Sequence, residues 1–442
     1  MELVRRLFGT DGVRGIAGVD LTADTARSLG AAAARVAGPG ARIVIGRDTR
    51  ESGPMLEAAL VDGIVAAGGV ALLAGVIPTP GVAVVASMLD ADLGCVISAS
   101  HNPYRDNGIK FLGGDGRKLS DRQEAAIEAA LEGAEPGGGR YERLDDAGDR
   151  YADWLVRGFG HRSARSPRLI LDCANGAATP VAGPVLRALG HDRLTVIGAQ
   201  PDGRNINLGV GSTHLDALAG RVQEEAADAG IAFDGDADRC LAVDGQGRPV
   251  NGDAIIAALA IDRHRRSDLP GDRVVVTSMT NLGFHRLMRS HGIEVEVTDV
   301  GDRYVLERMM QTGAVLGGEQ SGHVVDLAHH TTGDGIATAL MLLAAIDRLS
   351  LDMAGVHDLV VPFPQRLVAV PADRGLLASA DRIWQEVGAV SEKLGEHGRV
   401  VLRASGTEPV VRVMVEAEDE ATCQALCDRL AALVKTEIGV DA

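Results

Sequence analysis

The sequence predicts an α/β protein: three similar α/β domains with mixed sheets and a smaller α+β C-terminal domain, arranged around a central cleft. Three observations lead there. A chain of 442 residues is too long for one ordinary domain. An apolar strand opened by arginine recurs three times, as Arg42-Ile43-Val44-Ile45, Arg168-Leu169-Ile170-Leu171 and Arg273-Val274-Val275-Val276, each followed by a polar or glycine-containing loop and a helical stretch. Further along each repeat, a short apolar strand runs into a loop crowded with functional groups. Strands alternating with helical patterns read as βαβ units, and such sheets bind ligands at loops beyond strand ends.

Taken in order, those loops are Ser98-Ala99-Ser100-His101-Asn102-Pro103, Phe233-Asp234-Gly235-Asp236-Ala237-Asp238-Arg239 and Gly318-Glu319-Gln320-Ser321-Gly322-His323. The seams lie at the Gly- and Pro-rich stretch from Gly133 to Gly139 with the charged run to Arg150, at the turn-rich Gly245–Gly252, and at Pro362 and Pro364. They place the domains at 1–150, 151–252, 253–364 and 365–442. The last piece changes pattern, with Val-rich strands around Arg399–Glu416 and a helix near Thr422–Lys435.

A formal net charge of −17 argues against a nucleic-acid partner, because non-specific binding rests on neutralising phosphates with Lys and Arg. The cluster Arg263-His264-Arg265-Arg266 reads as a solvated helix end. The N-terminal segment from Met1 to Phe8 lacks the apolar core of a secretory signal. Gly63–Leu89 is uncharged, but Pro78-Thr79-Pro80 and three glycines break it, so it reads as strand, loop and helix and not as a membrane span. The five cysteines form no CxxC pair, which points to reduced thiols in a cytoplasmic protein. Cys423 and Cys427 share a helix face with Leu426 and Leu430, where packing is the default.

In the first loop, Pro103 disfavours helix before it and predicts an extended, exposed segment. Ser100 there is a candidate phosphoryl carrier, since a hydroxyl can split one transfer into two. A lone turn serine is more often structural, so its company decides. That company is Asp234, Asp236 and Asp238, three alternate carboxylates able to converge on one hard cation, with phosphate completing the shell. The spacing is not an EF-hand, because Arg239 stands at its glycine and Gly245 at its glutamate. Glu319, Ser321 and His323 offer a carboxylate, a hydroxyl and an imidazole to a polyhydroxylated ligand. A fourth loop, Arg403-Ala404-Ser405-Gly406-Thr407-Glu408-Pro409 with Arg412 after it, suits a phosphate held by forked guanidiniums. Near the start, Gly9–Gly15 sets Arg14 on a Gly-rich turn, and Asp106–Lys110 brings Lys110 towards the serine loop. Beside a cation and an arginine, a buried Lys110 with lowered pKa could move protons.

The ordered set SASHNP, DGDxDR, GEQSGH and RxSGTEP resembles the α-D-phosphohexomutases over nearly the whole chain. The opening LFGTDGVRG with the GEQSGH and SGTEP forms is most similar to the branch acting on glucosamine phosphates. The resemblance implies a phosphorylated Ser100 and one Mg2+ per chain held by that phosphate with Asp234, Asp236 and Asp238. Sugar hydroxyls would meet Glu319 and Ser321. The non-reacting phosphate would meet Arg403, Ser405, Gly406, Thr407 and Arg412, while Arg14, Lys110, His101, Arg239 and His323 would surround the transferring group. The implied reaction is reversible conversion of glucosamine 6-phosphate to glucosamine 1-phosphate through glucosamine 1,6-bisphosphate, feeding cell-envelope precursors. The implied partner is a small sugar phosphate, with no nucleic acid and no membrane, and a homodimer stays open. Glucose or mannose phosphates remain alternative substrates, and a metal-dependent sugar-phosphate phosphatase is the alternative from another class. One departure stands out: Ala237 replaces the family's usual glycine, which would strain the loop if that position needs positive φ.

Overall fold

The computed structural model describes residues 7–9, 11–133, 137–161, 166–405 and 409–440. The chain divides into two compact units, Met1–Thr277 with Glu296–Leu359, and Ser278–Val295 with Val360–Ala442.

The first unit repeats one strand arrangement. Its first sheet holds β1 (Val13–Ile16), β2 (Arg42–Arg47), β3 (Val70–Val76), β4 (Leu93–Ile97), β5 (Asp106–Gly113) and β6 (Arg140–Arg143), ordered β1-β5-β4-β2-β3-β6. The second holds β7 (Leu169–Asp172), β8 (Leu194–Ile197), β9 (Ala229–Phe233), β10 (Cys240–Asp244) and β11 (Pro249–Val250), ordered β11-β10-β9-β7-β8. In the third, the chain leaves along β12 (Arg273–Thr277), re-enters along β13 (Glu294–Thr298), and continues through β14 (Leu316–Gly318) and β15 (Val324–Asp326). Each of the three predicted opening strands, β2, β7 and β12, pairs in parallel with a loop-bearing strand: β4, β9 or β14. Each loop-bearing strand then pairs antiparallel with its successor: β5, β10 or β15. The functional loops are therefore connections between antiparallel neighbours, anchored by strand hydrogen bonds on both sides. Continuous burial of β4, β9 and β14 explains why these strands read as unbroken apolar runs in place of an alternating pattern.

The uncharged run 63–89 resolves as the end of a helix (Gly53–Ala66), strand β3 and a helix Thr79–Met88. Among the described residues, no helix is long and apolar enough to cross a membrane. All five cysteines are buried and free. The basic cluster does close a helix (Gly252–Arg265), but Arg263 is not solvated. It is buried and donates to Asp326 at 2.5 Å, because that carboxylate lies beneath the helix end.

The second unit has a smaller antiparallel sheet of β16 (Gln365–Pro371), β17 (Gly398–Ala404) and β18 (Val410–Ala417), ordered β16-β18-β17. The helix Glu420–Ile438 covers it, burying Cys423, Leu426, Cys427, Leu430 and Val434 along one stripe. Fully buried Glu416 ties the distant segment around Asn281 into this unit. It accepts from Arg399 Nε (2.7 Å), Asn281 Nδ2 (3.2 Å) and the Leu282 amide (3.1 Å). Asn281 in turn exchanges hydrogen bonds with the backbone of Phe363 at 2.9 and 3.0 Å. Truncating one member of a buried charged network leaves the others uncompensated. Glu416→Ala is therefore expected to lower the unfolding free energy of this unit by about 3 kcal/mol, read from denaturant titration.

Candidate active site

The Ser100 loop is neither extended nor exposed, which corrects the sequence expectation. Ser100 is only 3% exposed and sits at φ 50°, in the left-handed region. Its hydroxyl donates to Asp234 Oδ2 at 2.5 Å and lies 3.3 Å from His101 Nδ1. The physical reason is the set of donors that draws the loop's carbonyls inward. Arg50 and Asn207 both donate to the carbonyls of Ser100 and Asn102. The Asp234 loop also comes within backbone distance of Ser100. A Cβ on Gly235 would lie 2.5 Å from the Ser100 carbonyl oxygen, so only glycine fits there.

One carboxylate oxygen from each of Asp234, Asp236 and Asp238 lies within 4.8 Å of the others. Asp234 and Asp236 are fully buried, and Asp238 nearly so. Burial, with Asp238 and Asp236 close by, pushes the Asp234 carboxyl well above its ordinary range. Asp236 goes the other way. Burial opposes ionisation, but Lys110 Nζ at 2.9 Å and Thr79 Oγ1 at 2.5 Å hold it ionised. Asp236 Oδ1 and Asp238 Oδ1 are nevertheless buried with no hydrogen-bond partner. Unsatisfied carboxylate oxygens converging in a buried loop are the donor set a hard divalent cation requires, so the residues present fit a metal.

Lys110 corrects a second expectation. Burial alone would lower its pKa, but Asp236, Asp11 and Asp238 outweigh burial and hold it above the ordinary lysine value. It is placed to neutralise charge beside Asp236 and Asp238. His101 differs: burial first, then Arg239 and Arg14, bring its pKa down to about 4, leaving the ring neutral at physiological pH.

Arg14 stands on β1, paired across from Gly108, and not on the turn itself. It is ion-paired to Asp11, which Lys118 Nζ contacts at 2.6 Å. Lys118 is also paired to Asp302. Arg239 donates its amide to Asp234 Oδ1 and bridges to His323, so the second and third loops are stitched together by backbone. The Cys240 amide to the Gly322 carbonyl, 3.0 Å, adds a second stitch. Glu319 accepts from the Gly301 amide at 3.1 Å. Ser321 Oγ, both ring nitrogens of His323 and Arg239 Nε are buried without hydrogen-bond partners. Such groups leave hydrogen-bonding capacity open to water or a polar ligand.

In the second unit, Arg403 and Arg412 are cross-strand partners on β17 and β18, on one face of the sheet. Ser405 is buried and its amide closes the loop onto the Val410 carbonyl at 2.9 Å. Gly406 and Thr407 lie outside the described residues. Arg374 hydrogen-bonds the Ser405 carbonyl and lines a cavity of about 560 Å³ with Ala404, Ser405 and Pro409. Sequence reasoning passed over Arg374, Arg50, Asn207, Thr79, Lys118 and Asp302. Only Thr79 carried a signal, inside Pro78-Thr79-Pro80, which reads as a helix break.

Family models for the phosphoglucomutase/phosphomannomutase family match in four parts: alpha/beta/alpha domain I at residues 5–137, domain II at 149–247, domain III at 251–360 and the C-terminal domain at 367–433. A curated phosphoglucosamine mutase from Thermobifida fusca is 48% identical over 99% of this chain and 100% of its own. The chain belongs to this family. A phosphoglucosamine mutase from Rubrobacter xylanophilus is 49% identical over 98% of both chains. The crystal structure of a phosphoglucomutase/phosphomannomutase family protein from Burkholderia thailandensis superposes with a TM-score of 0.83 at 26% identity, covering 98% of this chain and 99% of the other. This phosphohexomutase is an enzyme of the isomerase class.

Ala237 sits at φ 58° and is fully buried, so the position does use the left-handed region. The strain is about 1 kcal/mol, and glycine's greater unfolded-state freedom offsets a similar amount. Ala237→Gly is therefore expected to leave stability within about 0.5 kcal/mol and divalent-cation half-saturation within about twofold. A several-fold tighter titration would show that the loop stores more strain than its φ implies. For His101, an NMR titration of the unphosphorylated protein is expected to show a midpoint near 4. A midpoint in the ordinary histidine range would refute the burial argument.

Proposed function

We propose that this phosphohexomutase interconverts glucosamine 6-phosphate and glucosamine 1-phosphate, with Ser100 as the phosphoryl carrier. The observation carrying the reading is the Ser100 hydroxyl, buried against Asp234 at 2.5 Å beside two further carboxylates with unsatisfied oxygens. Near-half identity to phosphoglucosamine mutases over the full length supports the substrate.

In the proposed cycle, phosphoserine 100 transfers its phosphoryl group to the C1 hydroxyl oxygen of glucosamine 6-phosphate. The P–O bond to Ser100 breaks as the P–O bond to C1 forms, and the sugar hydroxyl's proton leaves. Glucosamine 1,6-bisphosphate then turns over in the site; the P–O bond to its C6 oxygen breaks as the P–O bond to Ser100 forms, the serine hydroxyl loses its proton, the C6 oxygen gains one, and glucosamine 1-phosphate is released. Little covalent work falls to the protein in such transfers, so placement and charge dominate. Lys110, Arg14 and Arg239 supply fixed positive charge around the transferring group. Neutral His101, 3.3 Å from Ser100 Oγ, lies within reach of the proton exchanged there as the phosphoryl group comes and goes. Asp234, Asp236 and Asp238 would hold Mg2+ together with the Ser100 phosphate. When bound, that ion supplies charge stabilisation of the phosphoryl oxygens. Glu319, Ser321 and His323 would meet the sugar. Arg403, Ser405, Gly406, Thr407 and Arg412 would hold the non-reacting phosphate.

The proposed domains are 1–150, 151–252, 253–364 and 365–442, one loop from each. A cytoplasmic enzyme feeding activated amino sugar to envelope synthesis fits this reading.

The test is turnover of glucosamine, glucose and mannose 6-phosphates side by side, with magnesium and trace matching bisphosphate. Strong preference for the glucosamine substrate is expected, together with loss of at least about 10³-fold in kcat for Ser100→Ala with the fold retained. Preference for a neutral hexose would overturn the substrate, and wild-type-like turnover by Ser100→Ala would overturn the carrier.

A further inference from the structure

We propose that Arg50 is a positioning residue whose guanidinium, seated on Asp48, locks the Ser100 backbone in the left-handed conformation needed to present its oxygen to the acidic loop. The inference deepens the proposed function and rests on Ser100 being the phosphoryl carrier.

Arg50 is fully buried, among the largest fully buried side chains described. A guanidinium has five N–H donors in a fixed planar fork, and every one is engaged here. Nε donates to Asp48 Oδ2 at 2.8 Å. One terminal nitrogen donates to the carbonyls of Pro103 and Asp106, the latter at 2.9 Å. The other donates to the carbonyls of Ser100 and Asn102, both at 2.8 Å. Four of the five acceptors are therefore backbone carbonyls of the single loop 100–106. A salt bridge alone would need none of them.

Asp48 closes the circuit. Its Oδ2 also accepts from Ser98 Oγ at 2.6 Å, and Ser98 Oγ accepts from the Ser100 amide at 2.9 Å. The Ser100 amide and the Ser100 carbonyl are thus tied to one buried carboxylate, the first through Ser98 and the second through Arg50. Holding both flanking peptide units holds φ and ψ between them. A serine at φ 50° costs of order 1 kcal/mol relative to the right-handed region, so it relaxes unless its surroundings over-determine it. Asn207, from the connection after β8, reinforces the clamp by donating to the same two carbonyls at 2.9 and 3.2 Å. Lysine could keep the charge at position 50 but cannot reach five acceptors in one plane.

The experiment compares wild type, Arg50→Lys and Asn207→Ala by two readouts. The first is steady-state mutase kinetics, and the second is amide hydrogen exchange across residues 98–106 against the strands β2 and β4. Arg50→Lys is expected to lose about 100-fold in kcat with KM changed less than about threefold. Its loop amides should lose protection while β2 and β4 keep theirs. Asn207→Ala is expected to show the same pattern at about tenfold, and it buries no new charge, so it decides the matter if Arg50→Lys does not fold. A folded Arg50→Lys, or a folded Asn207→Ala, with wild-type kcat and loop protection overturns the proposal. So does a loss of protection spread evenly over loop and strands, which would mark a merely structural role. Should wild type itself fail to turn over glucosamine phosphates, the functional reading falls, and the exchange comparison still decides the clamp.

Discussion

Three carboxylates packed within 4.8 Å of one another in a buried loop repel strongly, and the structure around Asp234, Asp236 and Asp238 is organised by the need to offset that repulsion. Lys110 reaches Asp236 from β5, Thr79 reaches it from the start of a helix, and the Ser100 hydroxyl reaches Asp234. Each compensating group comes from the repeat built on the first sheet, whereas the acids come from the loop between β9 and β10 of the second. The charge problem thus welds two repeats of the fold at one point. What the protein leaves unsatisfied, one buried oxygen each of Asp236 and Asp238, is what gives the site an appetite for a cation.

Backbone strain gathers at the same place. Ser100, Ala174, Asn175, Asn207 and Ala237 all take left-handed φ values of 50° to 58° without being glycine. They lie in loops that touch: Asn207 holds the Ser100 carbonyl, and the Asn207 amide donates to the Ala174 carbonyl at 2.9 Å. Such conformations persist where neighbouring bonds over-determine them, and here buried hydrogen bonds do so. For Ser100 and Ala237 the flanking strands help, since each of those two loops leaves one strand and returns along its antiparallel neighbour.

Much of this was legible in the sequence. The three arginine-led strands, the change of pattern after Pro364 and the helix stripe of Cys423, Leu426, Cys427 and Leu430 follow from hydrophobic periodicity, which is local. Ser100 and the three aspartates were legible because their chemistry is dense in a few adjacent positions. The Ser100 conformation was misjudged because Pro103 constrains only its immediate predecessor, while Arg50 and Asn207 act from far along the chain. Lys110 was misjudged because its ionisation depends on which carboxylates surround it, and adjacency in sequence does not report that.

The sequence by itself determined the elements, their repetition and the kinds of functional group on each loop, since these depend on side-chain chemistry at short spacing. Tertiary structure alone decided which groups meet. It buried Arg50 under the serine loop, aimed Lys110 at Asp236 and bound residues around Asn281 to Glu416 in the second unit. Those outcomes turn on desolvation and on donors matched to acceptors across hundreds of residues, which no local pattern encodes.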